Sequence, residues 1–238
     1  MKLKAIVFDV DGTLAETEET HREAFNRTFR EFGLPWVWSQ ALYGELLKTT
    51  GGKERMTVYM QAHLGEDADP ATIAEMHKRK TAIYGALIAN GAAGLRPGIA
   101  RLIADAQKNG VRLAVATTTS RPNVDRLVDA CFGQPADAVF EVIAAGDEVD
   151  HKKPAPDVFE LAVKRLGVAP AACIGLEDSR NGLLSCVSAG IPCIVSPGVY
   201  TLGSDFSEAK AVIPCFSDVD TVAKLEKAVQ GSAALPAA

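Results

Sequence analysis

The sequence predicts an α/β fold in which a parallel-sheet core is interrupted by an all-helical insert. Three observations carry this. Short apolar, β-branched runs at Lys4 to Phe8, Val111 to Thr117, Val139 to Ala144, Ala172 to Leu176 and Ile191 to Ser196 read as buried strands. Helical patterns at about Ile99–Asn109, Pro122–Cys131, Pro156–Leu166 and Asn181–Ala189 separate the later strands. Strands alternating with helices make a parallel sheet covered on both faces, a Rossmann-like three-layer core with ligands at the strands' carboxyl ends. Between the first and second strands the pattern is helical only.

Taken in order, the first strand ends at Gly12, which permits a turn. Ala24, Phe25, Thr28, Phe29 and Phe32 then fall on one helix face, which Gly33-Leu34-Pro35 closes. Gln40 to Lys48, Glu54 to Leu64 and Ala71 to Ile88 read as further helices, and Gly91-Ala92-Ala93-Gly94 as the hinge back into the core. The expected division is a core of residues 1–16 and 92–238 with an insert of residues 17–91. The low-complexity end from Gly231 is expected to fray.

At 238 residues the chain can bury one large core with an insert. A net charge of −5 argues against a nucleic-acid partner, which would call for a basic surface. The five cysteines, Cys131, Cys173, Cys186, Cys193 and Cys215, are odd in number and widely spaced, so they indicate core thiols rather than a disulfide framework or zinc site. With neither a leader-like apolar region nor a stretch of membrane-spanning length, the expected setting is the cytoplasm, and the expected state a monomer.

Phe8-Asp9-Val10-Asp11-Gly12-Thr13 holds the chemistry nearest the start of the chain. Residues two apart in extended backbone point the same way, so Asp9 and Asp11 meet beyond a strand end. Two adjacent carboxylates call for a cation such as Mg2+, for one protonated carboxyl, or for both. Read as structure alone, Asp-Gly simply closes a turn. The same double reading attaches to three later stretches. Thr117-Thr118-Thr119-Ser120 caps a helix or binds an anion, Lys152-Lys153-Pro154 is a solvated loop or a charge neutraliser, and Glu177-Asp178 is an N-cap or a ligand pair.

These four stretches, in this order and each after an expected strand, resemble the signatures of the haloacid dehalogenase-like superfamily. The resemblance implies an aspartyl-phosphate mechanism with Asp9 as nucleophile, Asp11 as acid and base, and Thr117 and Lys153 on the phosphoryl oxygens. It implies Mg2+ held by Asp9, Asp11, Glu177 and Asp178, and a helical cap over the core.

Thr49-Thr50-Gly51-Gly52-Lys53-Glu54-Arg55 places two glycines and two cations at a helix start, a combination that fits an anion. His77-Lys78-Arg79-Lys80 is a second basic cluster, with His77 and Lys80 on one helix face; it is either a solvated face or a second grip. Together with Leu14-Ala15-Glu16-Thr17-Glu18 and His21, these stretches resemble the CbbY-type subfamily of sugar-bisphosphate phosphatases. That resemblance covers nearly the whole chain. It implies a phosphorylated sugar such as xylulose 1,5-bisphosphate, an inhibitory by-product of carbon fixation. It implies substrate contacts from Glu18, His21, Gly51, Gly52, Lys53, Glu54, Arg55, His77, Lys80, Thr118, Thr119 and Arg121. The alternatives are a β-phosphoglucomutase-like mutase, which shares His21 and the cap type, and a phosphatase of small sugar monophosphates.

Overall fold

A computed structural model of the protein describes residues 2–231. The fraying expected beyond Gly231 concerns residues 232–238, which lie outside the described residues. The chain runs β1 (Ala5–Phe8), α1 (Glu18–Glu31), α2 (Gln40–Leu46), α3 (Gly52–Val58), α4 (Pro70–Ala89), α5 (Ile99–Lys108), β2 (Arg112–Ala116), α6 (Arg121–Phe132), α7 (Ala136–Val139) and β3 (Val142–Ala144). It continues with α8 (Asp157–Leu166), β4 (Cys173–Glu177), α9 (Arg180–Ser188), β5 (Cys193–Val195), β6 (Ala211–Val212) and α10 (Val222–Gln230). It divides into two compact units, residues 1–16 with 94–238 and residues 17–93.

In the first unit the strands form one sheet in the order β3-β2-β1-β4-β5-β6, parallel at every pairing. β1 lies at its centre, between β2 and β4, and all four of its residues are fully covered. Ala5 and Val7 face one side and pack with Val158, Phe159 and Ala162 of α8 and Leu183 and Cys186 of α9. α5 and α10 pack together, on β2 and β5 respectively. Cys173, Cys186 and Cys193 are buried among apolar neighbours, whereas Cys131 and Cys215 are partly exposed.

The register places the chemistry. Phe8 is paired with Val115 on one side and Leu176 on the other, so Asp9, Thr117 and Glu177 emerge together at the carboxyl ends of three adjacent strands. One expectation here needs correction. The run Val139 to Ala144 is not one strand: α7 ends at Val139, Phe140 turns in to meet Phe8 edge-on at 5.9 Å, and the strand begins only at Val142. The edge strand β6 and the helix α10 were not anticipated, although Thr221, whose hydroxyl accepts from Lys224 N–H, is an N-cap signal readable in the sequence.

In the second unit α1 and α4 pack against each other. The insert is not helical throughout: residues 33–39 run irregularly between α1 and α2, and Tyr59–Leu64 continues α3 as a π-helix. The irregular stretch is held by burial of Trp38, whose backbone N–H donates to Asn26 Oδ1 at 2.8 Å while Asn26 Nδ2 donates back to its carbonyl at 3.0 Å. Phe25, Phe29, Tyr43 and Tyr59 meet that indole ring to ring, and Trp36 packs on Phe29 and Tyr59. Each such aromatic removes on the order of 150–250 Å² from water, which is the main stabilisation available to so small a unit.

Candidate active site

Asp9 leaves β1 one residue past its end, its N–H donating to Leu176 O at 3.0 Å, and its carboxylate is buried. Lys153, in the loop before α8, reaches it: Nζ lies 2.5 Å from Asp9 Oδ1 and 2.6 Å from Glu177 Oε1, over the Phe159 ring at 4.9 Å. The Lys153–Pro154 peptide bond is cis. Glu177 is fully buried at the end of β4, where its second oxygen accepts from Asp178 N–H at 3.2 Å and the Ser179 hydroxyl at 3.3 Å. Asp9, Glu177 and Asp178 each offer a carboxylate oxygen within 4.8 Å of the others. Asp11 follows in the turn, partly exposed.

Two glycines make room for this cluster. Gly12, at φ +84°, lies where any Cβ would run into the Asp178 carboxylate, and a Cβ on Gly182 in α9 would occupy the position of the Glu177 carboxylate.

Three buried carboxylates converge here, and Lys153 pairs with two of them. Burial, with the Glu177 charge adding to it, pushes the Asp9 carboxyl from 3.8 up to about 8 even with Lys153 beside it. Burial by itself would lower the Lys153 ammonium, but Asp9 and Glu177 hold it above the ordinary lysine range. A donor set of oxygens only could hold a hard divalent cation.

Thr117 is buried past the end of β2, and its Oγ1 accepts from Thr119 N–H at 3.2 Å, which leaves the hydroxyl hydrogen to donate elsewhere. Thr118 and Thr119 are partly exposed before α6, with Thr119 Oγ1 taking a 3.2 Å bond from Asn123 Nδ2. The Arg121 guanidinium is engaged by Asp125 at 2.8 Å and Asp137 at 2.6 Å.

The remaining candidates lie in the helical unit. Lys80 is buried rather than on a solvated face, its Nζ 2.6 Å from His21 Nδ1 and 4.5 Å above the Phe25 ring. An ammonium donating there leaves the imidazole hydrogen on Nε2. His21 stacks on Tyr84 at 4.0 Å. His77 lies so near the Gly51-Gly52 turn that a Cβ on Gly52 would be 2.7 Å from its Nε2. Lys53 and Glu54 are exposed in the first turn of α3. Arg55 is buried, with its head donating to Leu46 O at 3.2 Å, Thr49 O at 3.3 Å and Tyr43 Oη at 3.1 Å. Tyr43 in turn donates to Glu18 Oε2 at 2.9 Å. Sequence reasoning missed Tyr43, and nothing in its spacing singles it out.

A parallel sheet with an acid–lysine cluster at the ends of its central strands, behind Asp-x-Asp-Gly-Thr, defines a hydrolase of the haloacid dehalogenase-like class. The family model for haloacid dehalogenase-like hydrolases matches residues 3–190, and the chain belongs to that family. It is a phosphoric monoester hydrolase. The chain is 55% identical to Protein CbbY of Rhodobacter capsulatus over 223 residues, covering 94% of this chain and 98% of that one. Crystal structures of CbbY from Rhodobacter sphaeroides, one with phosphate and one of a variant with xylulose-(1,5)-bisphosphate, are each 52% identical over 94% of this chain and 99% of theirs, with a TM-score of 0.90. A β-phosphoglucomutase from Clostridium difficile shares the fold, with a TM-score of 0.80 at 20% identity over 96% of this chain and 97% of that one. Among the described residues no helix is long and apolar enough to cross a membrane.

Proposed function

We propose that the protein is a Mg2+-dependent sugar-phosphate phosphatase that works through an aspartyl-phosphate on a pentulose bisphosphate such as xylulose 1,5-bisphosphate. The observation that carries the chemistry is the gathering of three buried carboxylates, Asp9, Glu177 and Asp178, with the Lys153 ammonium bridging two of them. The substrate reading is supported by 52% identity to a protein solved with xylulose-(1,5)-bisphosphate. The carboxylates of Asp9, Glu177 and Asp178 and the backbone carbonyl of Asp11 would hold Mg2+, which would supply positive charge to the nucleophile and the phosphoryl oxygens.

The side chains do the rest. The Asp9 carboxylate attacks phosphorus, and the sugar oxygen departs with a proton from Asp11. Asp11, now a carboxylate, takes a proton from water as that water attacks the aspartyl-phosphate, which frees phosphate and restores both acids. Lys153, already fixed against Asp9, balances charge on the phosphoryl oxygens, and the Thr117 hydroxyl donates to one of them. Residues 17–93 serve as the cap, with Glu18, His21, Gly51, Gly52, Lys53, Glu54, Arg55, His77 and Lys80 selecting the substrate together with Thr118, Thr119 and Arg121 of the core. Arg55 and Arg121 act there through the groups they hold, since their guanidinium groups are engaged within the protein.

The test is phosphate release from xylulose 1,5-bisphosphate with and without Mg2+, run beside glucose 1-phosphate. Mg2+-dependent release of one phosphate supports the reading. Formation of glucose 6-phosphate in place of free phosphate would establish the mutase and refute it.

A further inference from the structure

Sequence motifs pass over Arg96, yet its side chain is buried against the acidic loop of the first unit. One terminal nitrogen donates to Gly12 O at 2.7 Å and Ser196 O at 2.6 Å; the other donates to Ser196 Oγ at 2.9 Å and Pro197 O at 3.3 Å. Nε lies 3.0 Å from Glu16 Oε1, and the guanidinium plane stands 4.9 Å from the Phe216 ring. The Arg96 backbone N–H donates to Leu14 O at 3.0 Å. Every nitrogen of the side chain is engaged, by four separate residues.

What these bonds hold is the wall around Asp178. Gly12 is fixed on both sides, its N–H donating to Ala15 O at 2.9 Å and its carbonyl accepting from Arg96. A Cβ at Gly12 would stand 2.4 Å from Asp178 Oδ2, and a Cβ at Gly198 would stand 3.5 Å from it. The two backbone segments that confine this carboxylate, Gly12 and Ser196 to Gly198, are therefore tied to one guanidinium. The Gly12 N–H bond to Ala15 O fixes the Asp11–Gly12 peptide, whose carbonyl is assigned to the metal above, and Arg96 holds the peptide that follows it, Gly12–Thr13.

We propose that Arg96 is a positioning residue that holds the Asp11–Gly12 turn and Asp178 in the arrangement that accepts the divalent cation. The proposal rests on the Mg2+ reading of the site. Lysine cannot substitute, because three N–H donors on one nitrogen cannot span acceptors on both Gly12 and Ser196–Pro197 while also pairing with Glu16.

The experiment titrates MgCl2 into substrate-free protein by calorimetry for wild type, Arg96→Lys and Ser196→Ala, with melting temperatures and kinetics on a sugar bisphosphate measured alongside. Loss of a group that orients ligands weakens metal affinity by about 10–100-fold. Arg96→Lys is expected at the lower end of that range. Its KM for substrate should be unchanged at saturating Mg2+, and much of its kcat should return as Mg2+ is raised. Ser196→Ala, which removes a single acceptor, should lose about two- to threefold. Wild-type Mg2+ affinity in Arg96→Lys with a lowered melting temperature would make the residue merely structural and overturn the proposal. Should Arg96→Lys fail to fold, Ser196→Ala decides: weakened Mg2+ binding at the wild-type melting temperature supports the proposal, and unchanged binding overturns it. Failure of the wild type itself to bind Mg2+ would instead refute the metal reading.

Discussion

Asp9→Asn should stabilise the metal-free protein while abolishing its turnover. The carboxyl titrates at 3.8 when exposed and at about 8 in the folded chain, chiefly because burial penalises the anion. A group whose folded value is raised holds its proton more tightly folded than unfolded. Stability is then full below the unfolded value and declines as pH rises toward the folded one. Between the two values each pH unit removes about 1.4 kcal/mol, so at neutral pH the buried Asp9 destabilises the metal-free fold by about 4 kcal/mol and near pH 4 by well under 1. Asparagine has the same shape and no proton to lose, so it escapes this penalty. Urea unfolding followed by circular dichroism, in EDTA from about pH 4 to pH 8, should show wild type and variant converging in acid and separating as pH rises. Saturating Mg2+ should close or reverse the gap, since only the wild type offers the full anion to the cation. Equal stability of the two proteins at pH 8 without Mg2+, or a less stable variant, would show that Asp9 is not strained by its neighbours and would remove the basis for the charge argument.

Other substitutions test separate parts of the same geometry. Lys153→Met leaves Asp9 and Glu177 buried without their shared ammonium; it should cost about 3–5 kcal/mol at neutral pH, less in acid, and reduce kcat at least 10²-fold by steady-state assay. Gly182→Ala drives a methyl into the Glu177 carboxylate, so a lowered melting temperature together with weakened Mg2+ binding is expected from differential scanning and calorimetry. Tyr43→Phe removes the hydroxyl between Arg55 and Glu18 and should raise KM severalfold with a stability loss of about 1 kcal/mol, read from kinetics and urea unfolding. Lys53→Ala should raise KM for a bisphosphate more than for a monophosphate; an equal rise for both would show that the Thr49–Arg55 stretch does not grip a second phosphate.

Much of this molecule was legible in advance because its information is local. A run such as Ile6-Val7-Phe8 can be buried on both faces only in the middle of a sheet, and strand–helix alternation leaves a parallel order as the workable topology. Asp9, Thr117 and Glu177 each follow an apolar run, which puts them at strand ends, but that these strands are neighbours is set by the sheet order. Where local pattern misled, tertiary packing had overruled it. Val139 and Phe140 have strand-like composition, but Phe140 is drawn into contact with Phe8, and Lys80 sits in a basic cluster yet is buried against Phe25 and His21.

The amino-acid order by itself determined the parallel core and the main helices of the insert, and it marked four stretches for chemistry, because strand periodicity, turn residues and acid–base types are properties of short segments. Only the tertiary structure decided which partner each long side chain takes. Arg55 and Arg121, cations suited to a ligand, spend their donors on neighbouring carbonyls, a hydroxyl and carboxylates, while Arg96, in no motif, reaches acceptors 84 and 100 residues away. A guanidinium on a flexible stem goes wherever the folded backbone leaves an unpaired oxygen, and that position depends on chain segments far removed in sequence.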